Sequence, residues 1–175
     1  MSTFQKTVEN LPAILQKNAK SIMQRMVDAM QNAIAVDPQL GATSYCALLL
    51  KMSSNDLVHE FDLAIGESMR SVQQAAGLGA AAGRWLTIEP LDELQASSEG
   101  DFQSSTVVFD KLNTKAGGLG IQGLGAYGKD MFLAALNEAF IKSRIDPAEA
   151  AKIMPFARQS LNGELTRLYE KLDSV

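Results

Sequence analysis

The chain has 175 residues, of which 46% are hydrophobic, 21% charged and only 6% aromatic. This composition is typical of a globular protein with an aliphatic core, and it excludes a disordered or collagen-like chain. One cysteine and one histidine exclude an internal disulfide and a zinc site of the usual ligand types within a single chain. We therefore expect one domain over residues 1–175, with no cofactor and no metal.

The net charge of −4 is unevenly distributed. Residues 1–53 and 111–175 each carry a net charge of +2, whereas residues 54–110 carry −8. Such a distribution argues against a strong nucleic-acid interface, which needs clustered lysine and arginine. It permits contact between the acidic middle of one copy and a basic flank of another. The alternative is an acidic face that keeps a monomer in solution.

The sequence contains no membrane-spanning segment, because no uninterrupted run approaches the roughly 20 apolar residues that a spanning helix needs. The N-terminal residues Met1–Lys6 lack the basic segment and apolar core of a secretory signal. We therefore expect synthesis in the cytoplasm, with later incorporation into a particle as an option.

The first 36 residues contain the strongest helical periodicity. From Leu15 to Val36 apolar or small residues recur at steps of four and three, and a second stripe runs beside the first. With Pro12 in the first turn and Asn10 as a cap, we predict a helix from about Leu11 to Val36. Its wide apolar face predicts a surface for self-association or partner binding, formed by Leu15, Ile22, Met23, Met26, Met30 and Val36. The alternative is that the methionines fill gaps in the core.

A second helical region follows the start signal Asp37–Pro38. The segment Tyr45–Leu50 is too continuously apolar for an exposed helix, so we predict that it is buried. Ser53–Asn55 should end this helix near Met52, and a further helix should run to Gly77.

Helical periodicity is lost between Gly77 and Gly128. Leu86–Ile88 and Thr106–Phe109 are strand candidates, and Pro90–Ala96 is typical of a short helix. A long irregular stretch inside a compact domain is commonly functional or ordered by a partner.

The C-terminal part of the chain is again helical. One helix is predicted from near Lys129 to near Arg144, with apolar residues on most sides. The start signal Asp-Pro returns at Asp146–Pro147, with Asp146 as the cap. A last helix should begin at Pro147 and be interrupted or kinked near Pro155. Together, these elements predict a mainly α, single-domain bundle of five or six helices, with an irregular insertion over about 77–128 and at most a small β element.

Two glycine motifs overlap before Lys129. Gly118–Gly123 has the spacing G-x-G-x-x-G of a dinucleotide site, and Gly123–Lys129 has the G-x-x-x-x-G-K spacing of a phosphate-binding loop. Asp130, however, occupies the position of the magnesium-binding Ser or Thr. A close-packed glycine loop capped by the next helix is the alternative. The residues of the predicted contact loop are Gly117, Gly118, Gly120, Gly123, Gly125 and Gly128, with Lys129 as an anion contact.

No catalytic residue is predicted. His59 and Glu60 resemble the start of a zinc-protease helix, but the second histidine is replaced by Leu63. Asp56 and His59 form only half of a di-metal site. Cys46 lies among apolar residues, where a thiol is usually inert.

The preferred hypothesis is a non-catalytic, self-associating assembly subunit, such as a coat or shell protein of a virus-like particle. Its partner would be a second copy of itself, and other assembly proteins are further candidates. One alternative is a small nucleotide- or phosphate-binding enzyme that uses the glycine-rich loop 117–129. Another is a helical adaptor or secretion-type chaperone whose first helix receives a partner helix.

Overall fold

The computed structural model describes residues 2–40, 45–78 and 100–175, except for the side chains of residues 75–78. Within these ranges the secondary structure is helical and contains no strand, which confirms the expected mainly α fold. The helices are α1 (Thr3–Glu9), α2 (Leu11–Val36), α3 (Cys46–Leu78), α4 (Gln103–Gly118), a 3-10 helix (Leu124–Tyr127), α5 (Lys129–Lys142) and α6 (Pro147–Asp173).

Helix α2 lies at the centre of the bundle. It packs against α3 on one side and against α6 on the other, so both of its apolar stripes are covered by the same chain. Its bounds, Leu11–Val36, are those that the periodicity predicts. The residues of α2 that are buried are Leu11, Leu15, Ala19, Ile22, Met23, Met26, Val27, Met30 and Ile34.

The other helices complete two flanks around α2. Helix α5 packs on α3, and α4 packs on α6. Apolar side chains from all six α-helices and from the 3-10 helix belong to one continuous core, which agrees with a single-domain bundle. The sequence predicts apolar residues on most sides of α5, and seven of them are buried: Met131, Phe132, Leu133, Ala135, Leu136, Ala139 and Phe140.

Ser53–Asn55 do not end a helix, contrary to the sequence prediction, because α3 runs through them. Leu50 and Leu57 lie two turns apart on one face, and both are fully buried. The hydroxyl of Ser54 donates to the carbonyl of Lys51, a bond that satisfies serine inside a helix. Burial on both sides of the serines therefore overrides their weak preference for a turn.

Thr106–Phe109 are helical rather than extended, and the expected irregularity over 77–128 is wrong for α4. Phe102, Ser105, Leu112 and Ala116 are buried at steps of three, four and seven residues, which is the period of a helix packed on one side. The packing of α4 on α6 overrides the β-preference of the short run. The predicted strand at Leu86–Ile88 and the predicted helix at Pro90–Ala96 lie outside the described residues.

The two Asp-Pro dipeptides have different structures. Asp146 caps α6 by accepting a hydrogen bond from the Glu149 amide, as predicted. Helix α6 continues through Pro155, contrary to the predicted interruption. The carboxylate of Asp37 instead accepts the amides of Gln39 and Leu40 in a turn. The helix after this turn begins at Cys46.

A charged contact joins α2 to α6. Arg25 Nε donates to Oε2 of Glu164 at 2.9 Å, and Arg25 Nη2 lies 2.9 Å from the same oxygen. The carboxylate is buried, and its other oxygen lies 3.5 Å from the exposed guanidinium of Arg167. A carboxylate with this little exposure requires a cation beside it.

We predict that Arg25→Ala lowers the free energy of unfolding by about 2–3 kcal/mol, because it leaves the Glu164 carboxylate buried without its closest cation. Glu164→Gln should cost only about 1 kcal/mol, since it removes the charge and keeps the shape. Urea unfolding measures both values.

Arg167→Ala is the matched control, because it removes a longer and more exposed contact to the same carboxylate. Its cost should stay below about 0.5 kcal/mol. An equal loss of unfolding free energy in the two arginine variants would contradict the role of Arg25 as the main cation partner of Glu164.

Candidate functional site

The predicted association face on the first helix is mostly internal. Leu15, Ile22, Met23, Met26 and Met30 are at most 1% exposed within a single chain, because α3 and α6 cover them. These five side chains are therefore unavailable for contact between folded copies, which corrects the prediction. Val36, at the end of α2, is 82% exposed.

A different helix exposes a row of large apolar side chains. Tyr45, Leu48 and Met52 follow at steps of three and four and are 56%, 55% and 74% exposed. Tyr45 is part of the same helical turn, since its carbonyl accepts the Leu49 amide. Leu63, five turns beyond Tyr45, is also exposed, after the exposed His59. We call the set Tyr45, Leu48, Met52, His59 and Leu63 the α3 outer face.

The expectation that Tyr45–Leu50 is buried is therefore only half correct. Cys46 and Leu50 are fully buried, whereas Tyr45 and Leu48 are exposed. When an apolar run forms a helix, its successive side chains point in different directions, so some face the core and others face the solvent. The signal that distinguishes the two sides is the spacing of Cys46, Leu50 and Leu57 on the core side.

Charged side chains of both signs border the α3 outer face. Lys51 is exposed beside Leu48 and Met52, and Lys152 lies close enough to Tyr45 to interact with it electrostatically. At the other end, Glu60 and Glu67 lie about one turn before and after Leu63. Both glutamates also interact with Lys142 at the end of α5.

The glycine-rich loop is packed against the core by aromatic side chains. The hydroxyl of Tyr169 donates to the carbonyl of Tyr127 at 3.0 Å, and the Tyr169 ring lies 4.9 Å from that of Phe109. A Cβ at Gly128 would lie 3.3 Å from the Phe109 ring. Burial raises the pKa of the Tyr169 hydroxyl, which therefore acts as a hydrogen-bond donor that holds the loop.

The context of both glycine motifs differs from that of a nucleotide site. Helix α4 ends at Gly118, and Gly128 precedes α5, so the segment connects two helices. The phosphate-binding motifs require a strand before the loop. The ammonium of Lys129, the predicted anion contact, lies 5.9 Å from the Phe102 ring centroid. A Cβ would meet open space at each of the other predicted loop glycines, Gly117, Gly118, Gly120, Gly123 and Gly125.

A buried thiol contacts a charged pair where α3 and α6 begin. Cys46 Sγ donates to Oε2 of Glu149 at 2.8 Å, and Lys152 Nζ donates to Oε1 at 3.1 Å. The thiol and then the ammonium hold the pKa of the Glu149 carboxyl below its usual range. These hydrogen bonds join the first turn of α3 to the first turn of α6.

A shallow groove of about 540 Å³ lies between α4 and α6. Ser104 Oγ is hydrogen-bonded to Asn162 and lies 3.0 Å from the Thr166 hydroxyl. An activated serine requires an adjacent base, and the single histidine, His59, lies on α3. Among the described residues, none of the groove lining is a base that would activate Ser104 as a histidine would, and neutral hydrogen bonds join α4 to α6 there.

No match to this sequence is found among protein-family models, curated proteins or solved structures. Within the described residues, no group of three metal-ligating side chains could hold a metal ion, and no described helix is long and apolar enough to cross a membrane. The α3 outer face is therefore the candidate site that the geometry supports best.

We predict that Gly123→Ala destabilises the protein by about 1 kcal/mol, because Gly123 has φ of 85°, a region that side chains disfavour. Gly125→Ala is the control, since it adds the same methyl group in open space without positive φ. Urea unfolding of both variants measures the difference, and equal stabilities would contradict a conformational role for Gly123.

We predict that Glu149→Gln lowers the melting temperature at pH 7 and that this difference shrinks below about pH 4. The folded-state pKa of Glu149 is lowered, so the carboxylate stabilises the fold above its unfolded pKa of about 4.3 and loses this effect as pH falls through the folded value. Melting scans from pH 7 to pH 3 measure it.

The control is Glu9→Gln, which changes the net charge equally at an exposed position of α1. A difference between wild type and Glu149→Gln that is independent of pH would contradict the stabilising role of the carboxylate.

Proposed function

We propose that this protein is a non-catalytic subunit that associates with copies of itself through the α3 outer face. The supporting observation is the exposure of Tyr45, Leu48 and Met52 on successive turns of one helix. Apolar residues scattered singly over a surface are ordinary, but a contiguous row marks an interaction site. Burial of such a row is favourable in proportion to the apolar area removed from water.

The charges around the row favour a second copy as the partner. Lys51 and Lys152, which is paired with Glu149, lie near one end, and Glu60 and Glu67, beside Lys142, lie near the other. A surface bordered by charges of both signs can meet its own copy with opposite charges placed together. This agrees with the charge pattern of the sequence, in which residues 54–110 are acidic and both flanks are basic.

The alternative functions have less support. A nucleotide- or phosphate-binding enzyme would need the loop 117–129 to follow a strand, and it follows α4. An adaptor or secretion-type chaperone would need the methionines of α2 to be open to a partner helix, and they are buried. Neither alternative has a described cluster of side chains that favours it.

The coat or shell hypothesis is a finer form of the same proposal. A symmetric face that meets its own copy closes at a dimer, so a shell requires a second, different contact surface. Dimerisation through α3 would then be one of the contacts in a particle, after synthesis in the cytoplasm. Electron microscopy of concentrated protein distinguishes particles from dimers.

We predict that the wild type forms dimers as its concentration rises through the micromolar range and that Leu48→Asp with Met52→Asp abolishes them. The carboxylates should prevent burial of the row without affecting the fold, because both positions face solvent. Sedimentation velocity measures association, and circular dichroism checks the helical content.

The matched control is Val107→Asp, which places a carboxylate at an exposed apolar position of α4. This variant should associate as the wild type does. A wild type that stays monomeric at every concentration and salt level would overturn the proposal, as would equal loss of association in the control.

A further inference from the structure

We infer that helix α1 is a detachable arm, fastened by Lys115, that undocks as a unit while α2–α6 stay folded. This inference does not depend on the proposed self-association. Helix α1 (Thr3–Glu9) is joined to α2 by the single residue Asn10 and packs on α2 and α6. Its buried side chains are Phe4 and Val8. When α1 undocks, these two side chains and the surface beneath them become exposed together.

The helical structure of α1 depends on its docking. Its seven residues are too few for a stable helix in water, because the cost of starting a helix is not recovered over two turns. Burial of Phe4 and Val8 must therefore offset the entropy that is lost in ordering the whole segment. Helix α2, by contrast, buries nine side chains. The free energy that holds α1 in place is thus much smaller than that of the bundle, and α1 opens first.

Lys115 fastens α1 to two other helices. Its ammonium lies 4.0 Å from the centroid of the Phe4 ring, where a cation is attracted to the aromatic face. The same ammonium donates to the carbonyl of Asp173 at 3.0 Å and lies 3.6 Å from the Asp173 carboxylate. The end of α6 therefore holds the charge of α4 over the ring of α1.

Asn10 is the hinge of the arm. Its amide donates to the carbonyls of Lys6 and Thr7 in α1, and its own carbonyl accepts the amide of Ile14 in α2. Pro12 has no amide proton to donate to α1, so the hydrogen-bond ladder is interrupted between the two helices. A rotation of the backbone at Asn10 can therefore move α1 without breaking the hydrogen bonds within α2.

Amide hydrogen exchange of the full chain tests this inference. Lys115→Met keeps an apolar stem and removes the charge, so exchange in α1 should become severalfold faster while α2–α6 keep their rates. The matched control is Lys111→Met, which makes the same charge change at an exposed position of α4 and should leave α1 unchanged. Acceleration spread equally over α1 and α2 would overturn the inference, because α1 would then open only with the bundle. Unchanged exchange in α1, or an equal effect of the control, would also overturn it.

Phe4→Ala removes the aromatic anchor of the arm. Amides of α1 should then exchange as fast as those of an unfolded peptide, whereas α2–α6 should stay protected and unfold cooperatively in urea. Loss of protection throughout the chain would overturn the independence of α1 from the bundle.

Phe4→Leu separates the ring from the apolar contact, since leucine is apolar but lacks the aromatic face. Lys115→Met should accelerate exchange in α1 less in the Phe4→Leu background than in the wild type, because the contact between cation and ring is already absent. Equal acceleration in the two backgrounds would overturn the role of Lys115 as the fastening of the ring.

Discussion

The enclosure of α2 by α3 and α6 is the constraint on which the rest of the structure depends. Helix α2 has two adjacent apolar stripes, so it cannot lie at the surface of the bundle, and one neighbour could not cover both stripes. Helices α3 and α6 each cover one side, and Arg25 with Glu164 fixes the approach of α6. Helix α5 then packs on α3, and α4 packs on α6.

This arrangement decides where apolar surface remains exposed. The methionines of α2 have the strongest pattern in the sequence, yet that pattern is satisfied inside one chain. Helix α3 contacts α2 and α5 on its inner sides, and no described element covers Tyr45, Leu48 and Met52. The exposed apolar face therefore lies on α3 and not on α2, although α2 has the stronger periodicity. The apolar run at the start of α3 has residues on both the buried and the exposed side of the helix.

Sequence reasoning predicts the elements that have a long period and a clear cap. The bounds of α2, the cap of α6 at Asp146 and the mainly α class follow from local rules. The errors occur where packing overrides weak local preferences, at Ser53–Asn55 and Thr106–Phe109. The candidate face could not be located from the sequence alone, because its location depends on which helix covers which side of α3, and that is a property of the whole bundle.

The position of the exposed row argues that it is more than residual surface. A side chain that faces solvent can be polar without cost to the core, so folding does not require leucine or methionine at positions 48 and 52. Other exposed apolar residues, such as Val107 and Ile141, lie on different helices, as expected for single scattered positions. On α3, three such residues occupy consecutive turns of one helix. We propose that contact with another molecule is the constraint that keeps these apolar residues together on that face.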